Sequence, residues 1–208
     1  MNRLMARIYD RMMRSGEDAG FASTRRELLR EARGDVLEIG AGTGLNLAAY
    51  PREGITRLVL TEPNPAMRRH IDAKRAQAPV EPEVSDASGE RLPFDDASFD
   101  TVVGTLVLCE PRDPEAVVAE VARVLRPGGR YLFAEHVRSE DPRLARSQDR
   151  WAPLWRAFNG GCNCNRATLA TIEGAGLDVE RKRLGVLPKS PKIVRPLLVG
   201  SAVRDDVL

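Results

Sequence analysis

Hydrophobic residues along the chain fall in short, bounded runs whose period switches repeatedly between strand-like and helix-like spacing. Residues 1–33 read as helical and charged on one side, with Leu4, Met5, Ile8 and Met12 spaced for one apolar stripe. A break at Ser15-Gly16 leads to a second helix, Thr24 to Ala32, ending near Gly34. An alternation follows: Asp35–Ile39 as strand, Gly44–Tyr50 as helix, Arg57–Leu60 as strand, and Pro65–Arg75 as helix with Pro65 in its first turn. Val80–Val84 is the third predicted strand. Asp100–Gly104, running on through Thr105–Leu108, reads as an apolar fourth strand buried on both faces. Pro114–Leu125 is amphipathic and stops at Arg126-Pro127-Gly128-Gly129, ahead of a fifth strand over Arg130–Ala134. Residues 140–175 are polar, aromatic-containing and helical, and Val179–Leu184 with Pro196–Val203 add a hairpin at the sheet edge. Alternating strands and short helices predict an α/β fold, a doubly wound and mostly parallel sheet covered on both faces.

Length sharpens this picture: 208 residues suit a single domain over 1–208, with residues 1–33 as a helical lid and 137–175 as a substrate-side insert. Lysines and arginines exceed acids by only two, so the charge excess of a dedicated nucleic-acid binder is missing and no nucleic-acid partner is expected. The longest apolar runs, Thr101–Cys109 and Leu197–Val203, are far short of the roughly 20 residues that cross a bilayer. No integral membrane segment and no secretory signal are expected, and three cysteines make a reducing, cytoplasmic setting the default. The stripe on the first helix is also compatible with peripheral membrane contact. Monomer and homodimer both stay open.

The chemistry concentrates at Val36-Leu37-Glu38-Ile39-Gly40-Ala41-Gly42-Thr43-Gly44, where a strand runs into a glycine-rich turn. In an open α/β sheet such a turn makes a ligand crevice at the carboxyl edge. A dinucleotide loop would need glycine where Leu45 stands, and a phosphate-binding loop would need Lys and Ser/Thr after its last glycine. What remains is E-x-G-x-G-x-G. Glu38 sets a carboxylate beside the turn, which repels a pyrophosphate and attracts an ammonium or sulfonium centre. Glu62 at the end of the second strand stands where ribose hydroxyls are gripped, and Asp86-Ala87 follows the third strand, placed to receive an adenine amino group.

With these motifs in place, the chain resembles the class I S-adenosylmethionine-dependent methyltransferases over about residues 30–136. Glu62-Pro63-Asn64, Glu90-Arg91-Leu92-Pro93-Phe94 and Leu125-Arg126-Pro127-Gly128-Gly129 add to the likeness. The resemblance implies a seven-stranded Rossmann-like sheet with an antiparallel last strand. It also implies S-adenosyl-L-methionine, leaving as S-adenosyl-L-homocysteine, held by Glu38, Gly40, Gly42, Gly44, Glu62, Pro63, Asp86, Ala87, Thr105 and Leu106. No metal is expected. Thr105–Cys109, Glu135-His136-Val137, Gly161-Cys162-Asn163, Arg166, Glu173 and Val194-Arg195-Pro196 look like the methyltransferase-like thiol S-methyltransferases. The chain departs from that group in carrying Glu62 where the group has Asp, and the group's hydrophobic N-terminal anchor is not expected here. The function implied is methylation of a small molecule, with a thiol as favoured acceptor. A phospholipid amine, a quinone or a natural product is the alternative, and a non-catalytic nucleoside-binding module the alternative of another class.

His136, after the fifth strand, is the candidate general base, since imidazole accepts protons near pH 7; the plainer role is a hydrogen bond to lid or backbone. Cys109 reads as an apolar wall residue. Cys162-x-Cys164 is weak as a zinc signal without a second cluster and reads as structural or substrate-lining. Trp151, Trp155 and Phe158 share a helical face, either as core or as pocket wall, and Tyr9 either closes over the cofactor or packs. With Arg166, these residues make up the expected substrate side. Arg25, Arg26, Arg68 and Arg69 read as solvated.

Overall fold

The computed structural model describes residues 3–205, with the backbone alone for residues 3–8. Leu4, Met5 and Ile8 of the predicted stripe therefore lie outside the described side chains, whereas Met12 is exposed on the first helix.

Seven strands form one sheet: β1 (Gly34–Ile39), β2 (Ile55–Thr61), β3 (Glu83–Ser85), β4 (Phe99–Thr105), β5 (Leu125–His136), β6 (Leu177–Val186) and β7 (Pro196–Arg204). Their order is β3-β2-β1-β4-β5-β7-β6, and β7 alone runs antiparallel to its neighbours. The carboxyl ends of β1, β2 and β4 consequently share one edge, with the strand order reversing beside β1. Ligands of open α/β sheets collect at that place.

Alternation along each strand divides the core between the two sheet faces. Leu37, Ile39, Val102, Tyr131 and Phe133 pack on one side against α4 (Pro114–Val124) and α6 (Thr168–Gly174). Val36, Leu60, Val103, Leu132 and Ala134 pack on the other against α2 (Ala22–Leu29) and Ile71 of α3 (Pro65–Asp72). Helix starts follow from local chemistry. Asp113, Asn64 and Asp141 accept from Ala116 N, Ala66 N and Arg143 N, and a proline follows each cap to open α4, α3 and α5 (Pro142–Phe158).

Four local expectations change. The N-terminal helix α1 (Arg3–Gly16) does not break at Ser15-Gly16; a widened turn, Glu17–Phe21, carries it to α2, with Gly20 at φ 131° making the bend. The third strand is only Glu83–Ser85, because Pro82 has no N–H for the ladder. Gly44–Tyr50 is a succession of turns closed by Gly44 N→Ala41 O, Leu47 N→Gly44 O and Ala49 N→Asn46 O, while the side chains of Asn46 and Tyr50 are drawn to Glu38. The fourth strand stops at Thr105, since Leu106 takes φ 57° and turns the chain across the glycine loop. A left-handed leucine is held only where its surroundings enforce it.

Candidate active site

Two cavities meet at the carboxyl edge. The larger, about 620 Å³, lies over the glycine loop and is lined by Glu38, Gly40, Gly42, Glu62, Pro63, Thr105 and Leu106 among others. Gly40 and Gly42 hold φ of 59° and 58°, where a side chain would be strained. At Gly40 a Cβ would also fall 2.4 Å from Val107 Cγ2, so the turn and the loop after β4 touch through the missing side chain. Gly44 sits behind the loop, facing Leu47 and Ile71 rather than the cavity wall.

Glu38 is buried and accepts from Asn46 Nδ2 at 3.0 Å and Tyr50 OH at 2.7 Å. Burial pushes its carboxyl up to about 7, opposed by the Tyr50 bond and by Arg25. Asn46 passes the network on, donating to Thr105 Oγ1 at 3.0 Å and accepting from Arg25 Nη1 at 2.7 Å. Arg25 is thus no solvated residue: it is 5% exposed, paired with Glu17 at 3.0 Å, and stacked 4.5 Å from the Phe21 ring centroid. A charge spacing on a helix does not reveal that the far side of that helix closes on an acid.

Glu62 at the end of β2 accepts from Gly42 N at 2.9 Å and Asn64 N at 2.8 Å, one bond to each oxygen. Each oxygen keeps a lone pair for a diol. Burial raises this carboxyl above the usual range. Arg68 donates to Glu62 O at 2.6 Å, so it braces the acid's backbone and is half-buried, not solvated.

Over the glycine loop lies a latch that the motifs did not signal. Asp10 of α1 accepts from Thr43 Oγ1 at 2.5 Å and from Lys74 Nζ at 2.7 Å, while Lys74 also donates to Thr43 O at 2.8 Å. Asp86 is exposed and Ala87 turns its N–H to Ser85 Oγ; Ser88, Gly89 and Glu90 line the cavity in their place.

The smaller cavity, about 250 Å³, shares Tyr9, Leu106 and Glu110 with the first. Met12, Met13, Leu187 and Val194 make much of its wall, and His136, Cys109, Cys162 and Trp155 face it. Burial raises the Tyr9 phenol to about 12, so it stays protonated. Burial lowers His136 to about 4, and its Nδ1 has no partner among the described residues. The imidazole is neutral at pH 7, but its hold on a proton is weak.

Glu135, the neighbour of His136 on β5, faces the other way. It is fully buried, accepts from Val107 N at 3.1 Å and Leu108 N at 3.0 Å, and is pushed up to about 8 by burial. It therefore supports the turn that Leu106 begins. Arg166 supports the same loop, donating to Leu108 O at 2.8 Å and to Pro111 O. Trp151 lies on the outer side of α5, 48% exposed, with Arg150 stacked over its ring; only the last turn of α5 reaches the cavity. Cys164 is fully buried and packs against Ala152 and Val194. Among the described residues no three His, Cys, Asp or Glu side chains gather to hold a metal, and no helix is long and apolar enough to cross a membrane.

These features fit S-adenosylmethionine. The glycine backbone lies open to a nucleoside, the Glu62 oxygens suit a ribose diol, and Glu38 provides negative charge behind the turn.

Comparison with known proteins agrees. Residues 37–133 match the family described as a methyltransferase domain. The chain is 32% identical to Thiol S-methyltransferase TMT1A of Homo sapiens over 95% of its own length and 82% of that protein. Against Thiol S-methyltransferase TMT1B of Homo sapiens it is 33% identical over 88% and 79%. In fold it resembles an S-adenosylmethionine-dependent methyltransferase of Thermotoga maritima, with a TM-score of 0.72 at 21% identity, covering 98% of this chain and 97% of that one. The chain is therefore a member of the class I S-adenosylmethionine-dependent methyltransferases, related to the thiol S-methyltransferases.

Proposed function

We propose that this methyltransferase transfers its methyl group to the sulfur of a small, uncharged aliphatic thiol, by in-line displacement. The observation that carries the reading is the compact cavity with many apolar walls that joins the cofactor cleft at Tyr9 and Leu106. The relatives' names, thiol S-methyltransferases, support it.

The cofactor supplies an electrophilic methyl on a sulfonium. The chain's own work is to bind, align and exclude water, which is enough for a nucleophile that is already reactive. Gly40 and Gly42 present backbone, Glu62 holds the ribose, and Ser88 with Gly89 takes the base end. Glu38, bridged by Asn46 to Thr105, would supply negative charge favourable to the sulfonium. Residues 3–33 act as lid through the Asp10 latch, and the last turn of α5 closes the acceptor side.

His136 serves as a neutral hydrogen-bond acceptor for the incoming S–H rather than as the base. Moving a proton from a thiol of pKa about 8.5 to an imidazole near 4 is uphill by about 6 kcal/mol, so the proton leaves to solvent instead. Activity should then rise from neutral to mildly alkaline pH as the thiolate fraction grows.

The test offers pure protein methyl-labelled cofactor with a panel of aliphatic thiols, and in parallel with phospholipid amines, quinols and phenols. Thioether formation is the expected product. Label transferred only to nitrogen, oxygen or carbon, with no thioether between pH 7 and 9, overturns the thiol reading.

A further inference from the structure

One pair of nucleophilic side chains has no part in this mechanism. Cys109, after β4, and Cys162, after α5, both face the smaller cavity. Their backbones are joined: Asn163 donates to Cys109 O from N at 2.7 Å and from Nδ2 at 3.2 Å. The two chain segments are thus held side by side, as the short Cα separation of a disulfide requires. Cys164, nearer to Cys162 in sequence, is fully buried and packs with Ala152 and Val194.

The two sulfurs are not equivalent. The Cys109 thiol donates to Leu106 O at 3.6 Å, and the neighbourhood of the two thiols lowers Cys162 and raises Cys109. The Trp155 indole N–H, without a regular acceptor among the described residues, further favours the Cys162 thiolate. Cys162 is half-buried and Cys109 is buried, both on the cavity wall. Reactive thiols combine a favoured thiolate with access.

We propose that Cys109 and Cys162 form a redox-active dithiol in the wall of the acceptor cavity, closed to a disulfide by small-molecule disulfides that enter it. The Cys162 thiolate attacks one sulfur of R–S–S–R; the Cys162–S–R bond forms, the S–S bond breaks, and RS⁻ leaves. Cys109, giving its proton to solvent, then attacks the Cys162 sulfur. The Cys109–Cys162 bond forms and the second RS⁻ leaves. Two cysteine thiols are oxidised, one small disulfide is reduced, and the two cysteine protons end on the two released thiols. That the cavity receives a thiol rests on the proposed function; the cross-link itself does not. An acceptor thiol, being a reductant, reverses the bond.

The experiment treats the purified protein with bis(2-hydroxyethyl) disulfide at pH 8, alkylates the free thiols, and reads intact mass and peptide map. A linked Cys109–Cys162 peptide with Cys164 alkylated is expected, and it should be absent in Cys162→Ser. S-adenosylhomocysteine should bind oxidised protein as it binds reduced protein. Thiol methylation by oxidised protein should start with a lag that shortens as acceptor thiol is increased. A Cys162–Cys164 bridge, or a mixed disulfide at Cys162 that never resolves, overturns the proposal. If the cross-link forms but reduced protein methylates no thiol, the dithiol stands and the thiol-acceptor reading falls.

Discussion

Replacing Glu38 by Gln separates the two effects of burying an acid behind the glycine loop. In the folded chain its carboxyl titrates near 7 rather than 4.5, with burial as the main cause. A group with a raised folded pKa contributes stability that is complete below its unfolded value and is lost as pH rises through the folded one. The native state therefore loses stability between pH 4.5 and about 7 on account of this group, and carries the full penalty at pH 8. A shift of this size corresponds to about 3 kcal/mol. Glu38→Gln keeps the shape and removes the charge. The ligand-free variant should accordingly unfold at higher urea than the wild type at pH 8, by up to about 3 kcal/mol. The difference should shrink to below about 1 kcal/mol by pH 5. Cofactor affinity should move oppositely, with S-adenosylmethionine held at least about tenfold more weakly at pH 8, since about 1.4 kcal/mol per decade is lost with one charge-assisted contact. Urea unfolding and calorimetry at pH 5, 6, 7 and 8 read both quantities. Parallel stability profiles for variant and wild type would refute the assignment of the penalty to Glu38.

Three further perturbations probe separate parts of the site. Asp10→Ala leaves Lys74 and Thr43 without their carboxylate; residues 3–16 should become more sensitive to limited proteolysis, and calorimetry should show cofactor affinity falling several-fold, by about 1 kcal/mol. Glu135→Gln can satisfy only one of the Val107 and Leu108 N–H groups with its carbonyl, so urea unfolding at pH 6 should show a loss of about 1–3 kcal/mol. Gly40→Ala sets a methyl against Val107 Cγ2 at a positive φ; cofactor binding by calorimetry should be abolished while circular dichroism still reports the α/β fold.

The positions of most strands and of the cofactor loop were readable because they rest on local signals. Two-faced burial writes continuous apolar runs such as Leu58–Leu60, and backbone approach demands glycine at positions such as 40 and 42. The end of the fourth strand was not readable, because Leu106 has an ordinary leucine's preferences and is turned by Gly40, Ala134 and Glu135 from elsewhere in the chain. Arg25, Asp10 and Lys74 were missed for the same reason: they act on residues 43 and 46, across the fold. Asp86 was placed by its position after a strand, but the chain turns there so that Ser88 and Gly89 face inward. Trp151 and Arg166 share motifs with cavity residues, yet one points to solvent and the other buttresses a loop. Spacing reports which residues are neighbours, and only packing reports which way they look.

Glu135 and His136 occupy consecutive positions, so the pleat sends one under the cofactor-side turn and the other into the smaller cavity. Evolution cannot freely retool this strand tip for a new acceptor without disturbing the machinery next door. The stretches 12–16, 155–162 and 187–194 surround the same space and stand outside the sheet. Divergence in what this enzyme class alkylates should accumulate in those peripheral walls, leaving the shared tip almost untouched.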